Sequence, residues 1–267
     1  MPPPTPFRPA LLVIDMQNDF CPGDDIPNGA LAVPGGRDII PTINHLLARP
    51  AFVYRVATRD WHPRNHISFA DNHSGKKAFA DEVEIVHPED LVQDPGDFAK
   101  DPGDLGEDPG DLAKDPSHST RRAYTTRLWP THCVQHTPGA DLVANLDTTK
   151  VDLVLDKGTD PRVEMYSAFY DPLRVEDSGL VGVLKEVDVN GVKGVTHVYV
   201  VGLAYDYCVR ASALDARAEG FDVILVRDAT RAVDPSPDKL AALEDELESK
   251  GVKVRGLEDE EVRGWLG

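Results

Sequence analysis

Apolar residues along the chain gather into short runs rich in Val, Ile and Leu, separated by stretches with a helical spacing. Runs at 10–14, 51–57, 151–155, 198–203 and 223–226 have the length and β-branched content of strands buried on both faces, and 252–254 offers a sixth. Between them, Ile39, Ile40, Ile43, Leu46 and Leu47 mark a helix over 37–47. An Ala- and Leu-rich stretch at 209–218 marks a second, closed by Gly220. Leu240, Leu243 and Leu247 mark a third over 237–250, closed by Gly251. Strands alternating with helices predict an α/β fold, a doubly wound, mostly parallel sheet with helices on both faces.

One stretch breaks this rhythm. From Asp94 the chain reads DPGDFAK, DPGDLGE, DPGDLAK and DPS, a seven-residue repeat with a Pro-Gly pair in each full unit. Those pairs rule out a coiled coil, and the acidic units carry too few large side chains to form a core. Residues 94–119 therefore read as a low-complexity surface insertion in a single domain spanning 1–267.

Composition narrows the class of protein. At 267 residues the chain can bury a sizeable core. No apolar run reaches the roughly 18–20 residues that span a bilayer, so no membrane partner is expected. The N-terminal MPPPTPFRPA has no apolar core and does not read as a secretory signal. Three cysteines make no disulfide framework and suggest a reducing, cytoplasmic setting. A net charge of −18 repels phosphate backbones, which argues against a nucleic-acid partner.

In parallel α/β sheets, ligands sit beyond the carboxyl ends of the strands. The chain places Asp15, Asp60, His62, Lys157 and Cys208 at such ends. Cys208 follows a strand and opens a helix, where backbone N–H groups lower a thiol pKa and can hold an oxyanion. Asp15 and Lys157 could serve as its base and cation if their strands flank it. Asp60 and His62, two apart on an extended segment, project the same way and suit a borderline divalent ion. Spacing leaves the third ligand open among His66, His73, His87, His118 and His132.

Five segments taken together resemble one family. LLVIDMQNDFCPG, TRDWHPRNHISFA, LWPTHCVQHTPGA, LDKGTDPRVEMYSAFYD and VVGLAYDYCVRASALDA are similar, in order, to the motifs of nicotinamidases. These belong to the isochorismatase-like cysteine hydrolases, and the wording is nearest the fungal type. The resemblance runs from residue 10 to 228. It implies a catalytic triad of Asp15, Lys157 and Cys208, and a metal held by Asp60, His62 and His132, with zinc ahead of iron or manganese. His66 is a candidate for a further position at the metal. Phe20, Trp129, Tyr166 and Leu203 match positions near the substrate ring. The peptide between Leu203 and Ala204 matches a cis bond that turns the Ala204 N–H toward the substrate, so Ala204 and Cys208 form the implied oxyanion hole. The loop CPGDDIPNGALAVPGG is longer than in many relatives.

The implied reaction converts nicotinamide and water to nicotinate and ammonia through a thioester on Cys208, a step in NAD salvage. Nicotinamide is the implied small-molecule partner, with a homo-oligomer as a further expectation. Two rivals remain at this point. One is a metal-independent amidase acting on carbamoyl or ureido groups, which the Asp60, His62 and His132 set opposes. The other is an inactive binding or scaffold protein, which the complete triad opposes.

Overall fold

The computed structural model describes residues 2–23, 28–91 and 121–267. Its strands, in chain order, are β1 (Pro9–Ile14), β2 (Tyr54–Asp60), β3 (Glu82–Val86), β4 (Ala123–Arg127) and β5 (Leu153–Lys157). They continue with β6 (Asp188–Val189), β7 (Val192–Lys193), β8 (His197–Leu203), β9 (Asp222–Arg231) and β10 (Val252–Arg255). The α-helices are α1 (Ile40–Leu47), α2 (Leu180–Glu186), α3 (Arg210–Ala218) and α4 (Pro237–Ser249).

The six apolar runs form one parallel sheet in the order β10-β9-β8-β1-β2-β5. Alternation along β1 feeds both sides of it. Leu11 and Val13 pack with Ile40, Ile43, Leu46 and Leu47 of α1. Ala10, Leu12 and Ile14 belong to the opposite core with Leu180 and Leu184 of α2, Ala213 and Ala216 of α3, and Leu243 and Leu247 of α4. Each fully buried Leu or Ile contributes about 1.5–3 kcal/mol, so this two-faced burial is what makes β1 a central strand.

Apolarity marks the strand centres better than their ends. β2 starts at Tyr54, not 51, and runs through Asp60, while β5 starts at Leu153 and takes in Lys157. Pairing sets these limits, since Asp60 lies in register with Lys157. β9 extends to Arg231, beyond the expected 226, by pairing Thr230 and Arg231 with Gly202 and Leu203. α1 begins at Ile40, with Pro41 in its first turn, instead of at 37. Three features carried no sequence expectation: α2 and the antiparallel pairs β3–β4 and β6–β7. The repeat at 94–119 lies outside the described residues; β3 and β4 flank it.

From β1 the sheet grows through β2 to β5 on one side, then restarts at β8 on the other and grows to β10. The winding reverses between β1 and β8, the place where open α/β sheets gather ligands. Gly202 keeps the two strands close there. Its φ is +109°, and a Cβ at that position would lie 2.1 Å from the Ile14 carbonyl oxygen. Among the described residues, no helix is long and apolar enough to cross a membrane.

Candidate active site

Four strand ends deliver the polar groups. Asp15 follows β1 with a left-handed φ of +46°, a conformation that costs most residues energy and turns its side chain out of the strand direction. Its N–H donates to Thr58 Oγ1 (3.1 Å), and the Thr58 hydroxyl donates back to Asp15 Oδ1 (2.6 Å). β2 ends at Asp60 and β5 at Lys157, side by side by register. β8 runs into a wide helical turn, Tyr205–Val209, that holds Cys208 and leads into α3.

Lys157 is fully buried and stands at the centre. Its Nζ is 3.0 Å from Asp15 Oδ2 and pairs closely with Asp60 Oδ1. It also donates to the Met165 carbonyl (3.2 Å) and approaches Cys208 Sγ (3.6 Å). Burial alone would drive this ammonium toward neutrality, but the Asp15 and Asp60 carboxylates overcome it and hold the pKa well above the lysine range. Burial raises Asp15 to about 6 against the pull of Lys157. Burial works the same way on Asp60, but Lys157 and His62 outweigh it and hold that carboxyl far below its usual range. Contrary to the lowered pKa expected at a helix start, the Cys208 thiol is pushed well up by burial, which the nearby Lys157 only partly offsets. The resting thiol is therefore protonated, with Asp15 beside it as a base of raised pKa.

The second cluster assembles because the chain after β2 pairs with a distant loop. His62 N–H donates to the Cys133 carbonyl (3.0 Å), and Gln135 N–H donates to the His62 carbonyl (2.9 Å). This brings His132 beside His62, with ring centroids 5.1 Å apart. Ligand atoms of Asp60, His62 and His132 all lie within 4.8 Å of one another. Each imidazole is oriented by its other nitrogen: His62 Nδ1 bonds the Gly158 carbonyl (2.8 Å), and His132 Nδ1 bonds the Pro130 carbonyl (2.7 Å). These bonds leave each Nε2 with its lone pair. His62 Nε2 is buried without a hydrogen-bond partner. Burial lowers His132 to about 4, so it is neutral, as a metal ligand must be. At His62 burial opposes charge, but Asp60 wins and raises the pKa, so the local field favours a cation at that nitrogen. This donor set, two imidazoles and a carboxylate with outer hydrogen bonds in place, fits a divalent metal.

His66 stacks on His62 with ring centroids 4.0 Å apart. Its Nδ1 bonds Ser68 Oγ (2.8 Å), and its buried Nε2 is also unpartnered. His73 and His87 bond elsewhere, to the Ile67 carbonyl and to the Glu89 N–H. His118 lies outside the described residues.

Both clusters open onto one cavity. Asp60, His132 and Cys208 face it together with the rings of Phe20, Trp129, Tyr166 and Tyr207. Leu31 and Val33 of the long loop also line it, as do Ala204 and Val233; residues 24–27 of that loop lie outside the described residues. Asp206 accepts from the N–H groups of Val233 (2.9 Å) and Asp234 (3.0 Å), fixing that side of the cavity. Leu203 is buried in the core and outside the lining; its peptide to Ala204 is cis. Three lining residues escaped the sequence reading, Glu164, Tyr207 and Val233. Burial pushes the Glu164 carboxyl above its usual range. Only its nearness to Lys157 in the chain could have flagged it, whereas Tyr207 adjoins Cys208.

The isochorismatase domain matches residues 9–259. A nicotinamidase from Acinetobacter baylyi is 36% identical over 225 residues, covering 84% of this chain and 82% of that protein. The structure of the yeast nicotinamidase bound to the inhibitor nicotinaldehyde superposes with a TM-score of 0.71 at 30% identity, covering 93% of this chain and 99% of that one. A pyrazinamidase from Pyrococcus horikoshii in complex with zinc superposes with a TM-score of 0.61 at 33% identity, covering 93% and 99%.

Proposed function

Because the chain belongs to the isochorismatase family, we propose that it is a nicotinamidase, a hydrolase that splits the amide C–N bond of nicotinamide to give nicotinate and ammonia. One observation carries this reading: a thiol backed by a buried lysine and carboxylate opens onto the same aromatic cavity as Asp60 and His132, two of three residues grouped closely enough to hold a metal. The metal-ready cluster favours nicotinamide over the carbamoyl substrates of a metal-independent amidase.

In this proposal Asp15 takes the Cys208 proton and the thiolate attacks the carboxamide carbon. The Ala204 and Cys208 N–H groups receive the oxyanion, and Lys157 adds positive charge nearby. Collapse of the adduct breaks the C–N bond, with the Asp15 proton passing to the departing ammonia. Water then cleaves the thioester, losing its proton to Asp15, and nicotinate and the free thiol leave the cycle ready to repeat. Phe20, Trp129 and Tyr166 flank the ring. Asp60, His62 and His132 would hold a divalent metal, zinc by preference over iron or manganese. When bound, it supplies a Lewis-acid anchor for the pyridine nitrogen, which positions the carboxamide. Ammonia release from nicotinamide by the metal-loaded protein tests the reading. Release from carbamoyl or ureido compounds but not from nicotinamide would replace it, and no release from either would leave the binding-protein alternative.

A further inference from the structure

The antiparallel β3–β4 pair stands outside the central sheet, yet β4 bonds residues that line the cavity. Tyr124 and Thr126 are two apart on β4 and so project from the same face. They meet two residues with the same spacing on the loop after β5. The Tyr124 hydroxyl donates to the Glu164 carbonyl (2.9 Å) and accepts from the Glu164 N–H (2.9 Å). Thr126 Oγ1 lies 2.9 Å from the Tyr166 hydroxyl. The Tyr166 oxygen also accepts from Trp129 Nε1 (2.9 Å), and an indole N–H can only donate. Tyr166 is then free to direct its own proton to Thr126, which is buried. Glu164, Tyr166 and Trp129 all line the cavity.

We propose that Tyr124 and Thr126 are positioning residues for substrate, gripping the Glu164–Tyr166 wall so that the Tyr166 and Trp129 rings are set before the ligand arrives. The inference rests on the nicotinamidase reading, since it takes this cavity as the substrate site. A wall that contacts a ring holds it equally in the ground state and the transition state, so loosening it raises KM and spares kcat.

The test is steady-state ammonia release by Thr126→Val, Thr126→Ser and Tyr124→Phe beside the parent. Thr126→Val keeps the shape and deletes the acceptor, leaving a buried hydroxyl without its partner, and KM should rise about ten-fold with kcat held within about two-fold. Thr126→Ser restores the hydroxyl and should return KM to near the parent value. Tyr124→Phe should raise KM in the same sense and serves if Thr126→Val does not fold. A parent inactive on nicotinamide would sink the functional reading. An active parent with Thr126→Val and Thr126→Ser alike, or with losses in kcat alone, would overturn this one.

Discussion

Gly158 links the two clusters, and substituting it should disturb metal binding more than folding. It follows Lys157 with φ at +65°, and its carbonyl orients His62. In Gly158→Ala the new Cβ would stand 2.5 Å from His62 Cε1 and 2.7 Å from Nδ1. Ordinary carbon contacts lie near 3.5–4.0 Å, so the imidazole must retreat by about 1 Å. Holding Ala in the left-handed region costs about 1–2 kcal/mol, and the forced repacking about 1–3 kcal/mol more. At roughly 2–4 °C per kcal/mol for a chain of this size, melting should fall by about 4–20 °C. Metal sites tolerate displacements of only about 0.2 Å, and lost outer support costs about 10–100-fold in affinity. Gly191→Ala is the matched control, with φ at +81° and nothing within 4 Å of the new Cβ. It should lose about 1–2 kcal/mol of stability and no metal affinity. Circular-dichroism melts and a metal titration on both variants decide the matter. A Gly158→Ala protein that binds metal like the parent would refute the argument that this glycine exists to seat His62.

Other consequences follow from the same geometry. Cys208→Ala should abolish ammonia release while the melting temperature stays near that of the parent, and Cys21→Ala and Cys133→Ser should still turn over; residual near-parent activity in Cys208→Ala would end the covalent mechanism. His132→Ala removes one of three proposed ligands, so elemental analysis should find less bound metal than in the parent, and equal content would pass the role to another histidine such as His66. With Asp15 raised to about 6 by burial, the base is ionised above that pH and protonated below it. The pH profile of kcat/KM should therefore fall on the acid side with an apparent pKa near 6, and a limb near 4 would show that Asp15 is not the controlling group.

The central sheet was legible because its strands are buried on both faces and so read as unbroken apolar runs. β3 and β4 were not. EVEIV and AYTTR are half-exposed and carry too little apolar signal, and they lie too far apart in sequence for any turn to announce their pairing. Among candidate site residues, those at strand ends could be found by topology alone. His132 could not, because its place depends on loop pairing across residues 62 and 134, which no local spacing encodes. Only the family resemblance singled it out. Glu164 sits on an irregular loop whose backbone is held by Tyr124, so its position follows from a contact that neither segment reveals by itself.

The central position of β1 also shapes the birth of the molecule. PALLVI leaves the ribosome well before β8, yet one of its two edges belongs to that strand, where His197 pairs with Pro9 about 190 residues later. At roughly 5–20 residues per second, synthesis leaves that edge bare for about ten to forty seconds. An uncovered apolar edge is a template for the wrong chain. The segment made in that interval is itself acidic, so neighbouring nascent chains repel one another increasingly as it lengthens. Crowded polysomes and high salt, which shorten the distance and screen the repulsion, are thus the conditions expected to favour mispairing of that edge before the eighth strand has been made.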